Sequence, residues 1–429
     1  MAAKEKVTRL YPPCRAACPA HVNVQAYICL LQRGKFKEAV ETIREDMPFP
    51  AICGRVCFAP CEKACARKDV DQAVAIRTLK KIVADVEREQ GRVRAQPIPR
   101  KYDKKVAVIG AGPAGLTSAY ELARLGYPVT VFESMPEPGG MMRYKIPSQL
   151  LEKFVVANEI AFIQDLGVEI RCNVEFGKDV NLDGLRKQGY EAEFIASGKL
   201  PDAPSLPKEL VTKEPAGFVI PVDPITLETK MKGVFAGGDA VRGKPAGIIE
   251  AVSAGRRAAE SIHRYLNGQD LKAGREEVEE TAWVKDWGTV EKKQIRYAAK
   301  KGEPKPRVSF EEATETMNKI KRKAMFEAFR CLGCGPCTEC LQKTGICEAD
   351  KPVIDEDLCI GCNICVEACP FGAISKNEEE VAQVDEKLCK GCGICAARCP
   401  ENAISMENLK NERLVSCALT TSGGRFHGR

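Results

Sequence analysis

Histidine and tryptophan are scarce in this 429-residue chain, which has 3 histidines and 2 tryptophans. His21, His263 and His427 are scattered, and none lies beside a motif that would recruit it for acid–base or nucleophilic chemistry. No apolar run approaches the ~20 residues of a membrane-spanning helix. The first ten residues, MAAKEKVTRL, also lack the apolar core of a secretory signal. We therefore expect a cytoplasmic protein without a membrane span.

Cysteine, by contrast, is abundant, with 22 residues in the chain. A disulfide framework is typical of small secreted domains, and this chain is neither short nor expected to be secreted. Apart from Cys29, Cys172 and Cys417, every cysteine falls in 14–65 or 331–399, mostly three or four positions from the next. This spacing is typical of metal ligands, and for the three isolated cysteines we expect ordinary buried or unreactive thiols.

The formal net charge of +6 does not indicate a nucleic-acid partner. Cysteines that ligate iron are thiolates, so several iron–sulfur clusters would make the loaded protein mildly negative. The basic run Lys319–Lys323 is most simply the solvated face of a helix, with an acidic docking partner as the alternative. We expect no nucleic-acid binding.

An internal repeat occupies residues 356–405, where EDLCIGCNICVEACPFGAIS and EKLCKGCGICAARCPENAIS align without gaps at a period of 30. Each half contains C-x2-C-x2-C-x3-C-P, the run with which bacterial ferredoxins bind two [4Fe–4S] clusters. The fourth cysteine of each run binds the other cluster. The predicted ligand sets are Cys359, Cys362, Cys365 and Cys399 for one cluster and Cys389, Cys392, Cys395 and Cys369 for the other. A zinc site, the alternative, would use two separated CxxC pairs.

A third group of cysteines precedes the repeat. Its members are Cys331, Cys334, Cys337, Cys340 and Cys347. Five thiols at this density predict a third [4Fe–4S] cluster, with zinc as the alternative. Which four of the five ligate is open, and we favour the last four.

The N-terminal cysteines follow a different pattern. Cys14-x3-Cys18-Pro comes first, and four further cysteines follow at intervals of four: Cys53, Cys57, Cys61 and Cys65. The run from Cys18 to Cys65 resembles the N-terminal helical domain of the glutamate synthase small subunit, and dihydropyrimidine dehydrogenase begins similarly. In that family the domain holds two [4Fe–4S] clusters and has four cysteines in its first stretch, of which this chain keeps the last two.

The resemblance implies one N-terminal cluster, for which the expected ligands are Cys18, Cys53, Cys57 and Cys61. A second cluster would need Cys14, Cys65 and a ligand from outside the chain. Lys80 stands near the position at which the family can supply a Gln or Glu ligand. A protonated lysine cannot ligate iron, so we do not expect the second cluster.

A nucleotide-binding pattern covers VAVIGAGPAGLTSAYELARLGYPVTVFE (106–133), which predicts a strand, a glycine-rich turn, a helix and a second strand ending in an acid. Gly110 permits the tight turn, Gly112 lets the backbone approach a pyrophosphate, and Gly115 lets the helix pack on the strand. The helix N-terminus faces the anion, and the acid is placed to bind a ribose hydroxyl. The candidate cofactor residues are Gly110, Gly112, Pro113, Ala114, Gly115 and Glu133.

This motif alone does not separate FAD from NAD. Pro138-Gly139-Gly140 follows the acid at the spacing seen in two-dinucleotide-binding flavoproteins, and GVFAGGDAV (233–241) with its following helix resembles their closing motif. The resemblance implies FAD, with Asp239 at the ribityl chain and the next helix start at the pyrophosphate. The candidate residues that it adds are Gly139, Gly140, Gly238, Asp239 and Gly247.

A second dinucleotide site is missing. In the glutamate synthase small-subunit family an NADPH domain is inserted between the strand ending at Gly198 and the closing motif. Here only Lys199–Lys232 lies between them, which is 34 residues and too short for the βαβ units of such a site. We therefore do not expect this chain to oxidise NAD(P)H directly.

Together these patterns predict an α/β multidomain protein. The expected parts are a helical iron–sulfur domain (1–90), a linker (91–103), a Rossmann-like FAD domain without the inserted NAD(P)H domain (104–268), a linker and helix (269–330), a cluster-binding segment (331–350), a bacterial-ferredoxin-like α+β domain with two [4Fe–4S] clusters (351–410) and a tail (411–429).

The resemblance implies an oxidoreductase that uses FAD and four [4Fe–4S] clusters, or five if the N-terminal domain holds two. Its expected partners are other oxidoreductase subunits of a hetero-oligomer, or ferredoxin. The order of the motifs also allows flavin-based electron bifurcation. The alternatives are a self-contained NAD(P)H:ferredoxin-type oxidoreductase and a cluster-bearing scaffold with a vestigial flavin site.

Overall fold

The computed structural model describes residues 12–32, 34–69, 71–91, 94–198, 206–215, 217–243, 247–275, 308, 316–331, 352–369, 372–385, 394–401 and 403–406. The expected ligands outside these residues are Cys334, Cys337, Cys340, Cys347, Cys389 and Cys392. Among the described residues, no helix has both the length and the apolarity needed to cross a bilayer.

The N-terminal domain is helical, as predicted. Its α-helices are α1 (Pro13–Ala16), α2 (Val24–Gln32), α3 (Phe36–Asp46), α4 (Pro50–Val56), α5 (Pro60–Lys63) and α6 (Ile76–Glu89), with a 3-10 turn at Ala66–Asp69. Helix α2 buries Val24, Tyr27, Ile28 and Leu31, which share one face because a helix repeats every 3.6 residues. These faces meet in the domain's core.

Helices α4 and α6 cross at unusually short range. A Cβ at Gly54 would lie 2.5 Å from the backbone nitrogen of Lys81 and 2.6 Å from its Cα. Only a glycine allows two helix backbones to approach this closely. The crossing brings the residues beside Gly54, including Cys53, against the N-terminal half of α6.

The next domain is built on a parallel sheet. Its main strands are β1 (Lys105–Ile109), β2 (Val129–Phe132), β3 (Glu169–Arg171), β4 (Tyr190–Ile195) and, after a hairpin of β5 (Thr212–Glu214) and β6 (Gly217–Val219), β7 (Val234–Ala236). The strand order is β3–β2–β1–β4–β7, and every neighbouring pair is parallel. This is the Rossmann-like arrangement that the sequence predicts.

Helices cover the parallel sheet. They are α7 (Pro113–Leu125), α8 (Met141–Tyr144), α9 (Lys153–Asp165), α10 (Leu182–Lys187), α11 (Asp239–Arg242) and α12 (Ile248–Leu266). Helices α7 and α12 pack against each other, and a Cβ at Gly255 would lie 2.3 Å from the carbonyl oxygen of Ala114. The long helix α12 is thereby held directly against the start of α7.

The connection between β4 and β7 is short, and the inserted domain is expected at this place. Its described residues form a 3-10 turn at Lys208–Leu210 and the antiparallel pair β5–β6. No parallel strand or crossover helix occurs in the described part of this connection. The domain therefore has one sheet of Rossmann type among the described residues.

The helical domain and the parallel-sheet domain share one continuous hydrophobic core. The buried carboxylate of Glu159 on α9 accepts hydrogen bonds from the backbone nitrogens of Ala51 (2.7 Å) and Ile52 (3.0 Å) at the start of α4. Arg256 on α12 donates to the carbonyl oxygen of Ala20 at 2.7 Å. Both contacts satisfy polar groups across the boundary, so the two domains form one packed unit.

A helix far along the chain returns to the N-terminal domain. The sequence predicts one amphipathic helix over 310–329, and the described helix is α13 (Met317–Ala328). It packs against α2 and α6, and Gln32 donates to the carbonyl oxygen of Ala328 at 2.9 Å. Arg330 then forms ion pairs with Asp71 (2.8 Å) and Glu327 (2.6 Å). What looked like a linker helix is therefore part of the N-terminal core.

The C-terminal domain displays the sequence repeat as two β–α–β halves. The first half comprises β8 (Pro352–Ile354), α14 (Ile364–Ala368) and β9 (Ile374–Lys376), and the second β10 (Ala382–Val384), α15 (Ile394–Arg398) and β11 (Ile404–Met406). Strand β8 pairs with β11 and β9 with β10, so each two-stranded sheet takes one strand from each half. This confirms the ferredoxin-like α+β fold.

Candidate metal centres and nucleotide site

One predicted ligand set of the C-terminal repeat comes together in the structure. The thiols of Cys359, Cys362, Cys365 and Cys399 line a single pocket, whose walls include Ile360, Val366 and Ile404. Cys365 lies in α14, whereas Cys399 follows α15 in the other half. Four thiols around one apolar pocket are the donor set that a [4Fe–4S] cluster requires, so the residues fit that group.

The described members of the second set, Cys369 and Cys395, pack in the same small core. The Sγ of Cys369 accepts a hydrogen bond from the backbone nitrogen of Ala373 at 3.2 Å. Hydrogen bonds to cluster sulfurs are one of the means by which proteins tune reduction potential. These two thiols are therefore in an environment suited to a cluster.

The N-terminal thiols are deeply buried. Cys18, Cys53, Cys57 and Cys61 are each at most 5% exposed, Cys65 is 9% exposed, and Cys14 is half-buried. In the described residues no three His, Cys, Asp or Glu side chains converge as the ligands of a single metal ion would. Cubane ligands bind separate iron atoms and need not lie so close.

Electrostatics link four of these thiols to one another and to Lys80. Burial raises the pKa of the Cys61 thiol to about 12, and the Lys80 ammonium acts in the opposite direction. Burial raises the pKa of Cys53 and Cys57 as well, again opposed by Lys80. Because iron binds the thiolate, ligation would release these protons. Four buried thiols without disulfides fit a cluster.

The glycine-rich turn leaves an open space at one position. A Cβ at Gly115 would lie 2.0 Å from the carbonyl oxygen of Gly110, and Gly110 itself has a φ of 99°. At Gly112, by contrast, a Cβ would meet nothing within 4 Å. The turn leads into α7, whose N-terminus has no side-chain cap. Free helix N–H groups beside open space fit a pyrophosphate.

The other predicted flavin segments surround this turn. Gly139 donates from its backbone nitrogen to the carbonyl oxygen of Ala111 at 2.9 Å, and a Cβ at Gly140 would lie 2.9 Å from the Cα of Gly112. Gly238, immediately before Asp239, has a φ of 68° and faces the side chain of Ala114. The structure therefore brings these segments together at the start of α7.

Glu133 connects two loops through hydrogen bonds, a role that the sequence did not reveal. Its buried carboxylate accepts hydrogen bonds from the backbone nitrogens of Ala111 (2.7 Å) and Met135 (2.9 Å). It therefore ties the glycine-rich turn to the loop that follows β2. Each carboxylate oxygen has a second lone pair, so binding to a ribose stays a prediction.

Gly247, at the start of α12, faces the N-terminal domain. A Cβ at this position would lie 2.3 Å from Cε1 of Phe58. Phe58 directly follows Cys57, so a predicted cluster ligand and the closing flavin segment are joined by one aromatic contact. Sequence reasoning missed both Phe58 and Glu159, because neither belongs to a motif and both act across the domain boundary.

Replacing Gly112 by alanine should separate folding from cofactor binding. The added methyl group meets no protein atom, so we expect an unfolding midpoint like that of the unchanged protein. It would enter the space predicted for the pyrophosphate, and we expect FAD affinity to fall about tenfold or more, which corresponds to about 1.4 kcal/mol. Flavin absorbance of the purified variant measures this. Gly184→Ala on helix α10, outside the glycine-rich turn, is the control, and equal FAD retention by both variants would contradict the assignment.

Comparison with known proteins identifies three domains. Residues 7–92 match the family "Dihydropyrimidine dehydrogenase domain II, 4Fe-4S cluster". Residues 66–255 match the pyridine nucleotide-disulphide oxidoreductases, and residues 352–406 match the 4Fe-4S dicluster domain. These matches support iron–sulfur clusters and FAD as cofactors and agree with the predicted fold class.

Curated relatives match part of the chain. The chain is 43% identical over 189 residues to the NADPH-Fe(3+) oxidoreductase subunit beta of Geobacter sulfurreducens, which covers 43% of this chain and 28% of that protein. It is 41% identical over 207 residues to the NADP(+)-dependent formate dehydrogenase subunit beta of Moorella thermoacetica, covering 43% and 29%. With the glutamate synthase [NADPH] small chain of Bacillus subtilis it shares 32% identity over 268 residues, covering 58% and 52%.

The chain thus spans between about a quarter and a half of the length of these relatives. The similarity to the glutamate synthase small chain confirms the resemblance that the N-terminal and flavin motifs predicted. The chain therefore combines regions that match a dihydropyrimidine dehydrogenase-type 4Fe-4S domain, a pyridine nucleotide-disulphide oxidoreductase domain and a 4Fe-4S dicluster domain, and over part of its length it is similar to the glutamate synthase small chain.

Proposed function

We propose that this chain is an electron-transfer subunit of a multisubunit oxidoreductase. When bound, FAD would exchange electrons in pairs and the [4Fe–4S] clusters would carry them singly. The observation that carries the proposal is the shared core of the helical and parallel-sheet domains, with Phe58 against Gly247. Because electron tunnelling weakens steeply with distance, a fixed and close boundary between the two sites favours transfer between them.

The chain's own residues would hold four clusters and one flavin. We assign one N-terminal cluster to Cys18, Cys53, Cys57 and Cys61, one to the group that starts at Cys331, and two to the C-terminal repeat. The glycine-rich turn and the N-terminus of α7 would bind the pyrophosphate of FAD. Glu133 fixes the turn, and Asp239 would orient the ribityl chain.

We infer that electrons pass to or from another oxidoreductase subunit or ferredoxin, in the cytoplasm. The missing nicotinamide domain supports this, since the short hairpin between β4 and β7 gives no βαβ unit in its described residues. The relatives named above as beta subunits are consistent with a hetero-oligomer.

A reduction experiment tests the proposal. Under anaerobic conditions, reduced ferredoxin should bleach the flavin of the purified chain, whereas NADH or NADPH alone should not. Rapid bleaching by NADPH would overturn the proposal and favour a self-contained NAD(P)H:ferredoxin-type oxidoreductase. The match of 66–255 to the pyridine nucleotide-disulphide oxidoreductases is the observation that favours this second candidate.

Iron analysis tests the cluster assignments. Four [4Fe–4S] clusters correspond to about 16 iron atoms per chain. Replacing Cys365 by serine should remove about four of them, because this thiol lies in the pocket formed with Cys359, Cys362 and Cys399. Cys172→Ser, which changes an isolated thiol after β3, is the control and should leave the iron content unchanged. Full iron content in the Cys365 variant would refute this ligand set.

A further inference from the structure

Lys80 is a lysine in the interior of the N-terminal domain. It lies on α6 and is 4% exposed, although a buried ammonium is costly without compensating negative charge. Among the described residues no ion pair joins it to a carboxylate, whereas its neighbour Lys81 is 46% exposed and pairs with Asp85 at 3.6 Å. The two adjacent lysines therefore have different environments on one helix.

Residues next to Lys80 on α6 contact the cysteine-bearing segments. Arg77, one turn earlier on the same face, donates from its Nη1 to the carbonyl oxygen of Cys57 at 3.0 Å, and its backbone nitrogen donates to Glu62 at 2.7 Å. On the other side, the close crossing at Gly54 brings α4 and Cys53 against the residue that follows Lys80. Lys80 thus lies on a helix that contacts both cysteine-bearing segments, between the two residues that make these contacts.

The charges around Lys80 come from these cysteines. The groups that act most strongly on the Lys80 ammonium are Cys61, Cys53, Cys18 and Cys57, which would become thiolates on binding iron. These are the same four thiols that we assign to the N-terminal cluster.

A cluster held by four thiolates carries net negative charge, and reduction adds one more electron. In a buried site, where water screens little, a fixed cation stabilises the reduced form more than the oxidised form. Such a cation makes the cluster easier to reduce. It also compensates the cost of burying the cluster's own charge.

We propose that Lys80 is the fixed counter-charge of the N-terminal cluster and raises its reduction potential. Lys80 is a positioning and tuning residue, not a ligand. The inference rests on the proposed ligand set Cys18, Cys53, Cys57 and Cys61.

The test is a redox titration followed by electron paramagnetic resonance on the full chain. The signal that Cys57→Ser removes identifies the N-terminal cluster among the others. We expect Lys80→Met to keep the iron and to shift the midpoint potential of this signal to a more negative value. Lys80→Arg keeps the charge and should stay near the unchanged protein. Lys81→Met is the matched control, since it removes a charge from the neighbouring exposed position.

The outcomes separate charge from packing. Loss of the signal in Lys80→Met but not in Lys80→Arg also supports the proposal, because the cluster then depends on the cation. An unchanged midpoint in Lys80→Met with full iron content overturns it, and so does loss of the signal in both variants. If Cys57→Ser removes no signal, the proposed ligand set is wrong, and the role of Lys80 is then wrong as well. If Cys57→Ser removes a signal that Lys80→Met does not shift, only the role of Lys80 is wrong.

Discussion

Replacing Glu327 by alanine should lower the free energy of unfolding by about 3–5 kcal/mol, because it breaks a buried ion pair and leaves two buried backbone donors unsatisfied, although Arg330 keeps its pair with Asp71. Glu327 is completely buried in α13. Its carboxylate accepts from Nη1 of Arg330 at 2.6 Å and from the backbone nitrogens of Ala75 (2.8 Å) and Val308 (2.9 Å). Alanine would leave both backbone donors unsatisfied in the interior.

Chemical denaturation under anaerobic conditions measures this effect. Glu175→Ala is the matched control, since that glutamate is 57% exposed and pairs with Lys178 at 3.8 Å. An exposed pair contributes about 0–1 kcal/mol, so the control should shift the unfolding midpoint little. Equal midpoints for the two variants would show that α13 does not stabilise the N-terminal domain.

Replacing Gly54 by alanine should destabilise the N-terminal domain by about 1–3 kcal/mol through overpacking at the crossing of α4 and α6. The new methyl group would lie 2.5 Å from the backbone nitrogen of Lys81, and backbone atoms cannot rotate away as the end of a side chain can. Helix α4 must then move, and Cys53 moves with it. We expect a lower unfolding midpoint together with loss of iron from the N-terminal cluster.

Gly184→Ala again serves as the control, because a Cβ there meets only the side chain of Asn181 and no backbone atom. Iron content and the unfolding midpoint should be measured on the same preparations. If Gly54→Ala retained all its iron at an unchanged midpoint, the close approach of the two helices would not be a requirement of the cluster site.

The two substitutions disrupt different packing contacts of the N-terminal domain. Glu327 attaches a helix that lies more than 200 positions later in the chain than α6, whereas Gly54 sets the distance between two helices inside the domain. Loss of iron without loss of α13 packing is expected only for Gly54→Ala. Iron analysis combined with denaturation therefore distinguishes the effect of α13 packing from the effect of the α4–α6 crossing.

The sequence alone determined the features that depend on a few neighbouring residues. The C-x2-C-x2-C-x3-C-P runs predicted the repeated, ferredoxin-like α+β domain at the C-terminal end, because thiol spacing on a tight loop is a local property. The glycine-rich turn predicted the start of α7 for the same reason. Its glycines allow a tight turn and close packing of the helix on the adjacent strand, and both are local properties. The short stretch Lys199–Lys232 predicted the missing nicotinamide domain by its length alone.

Only the tertiary structure decided how these parts meet. Glu159, Phe58 and Arg256 join the helical and parallel-sheet domains, and no local pattern marks them because their partners lie about 100 to 240 positions away. The sequence marked Lys80 as unable to ligate iron but did not show it buried among thiols. Burial of a charged side chain depends on which distant segments enclose it, and that depends on long-range packing rather than on spacing along the chain.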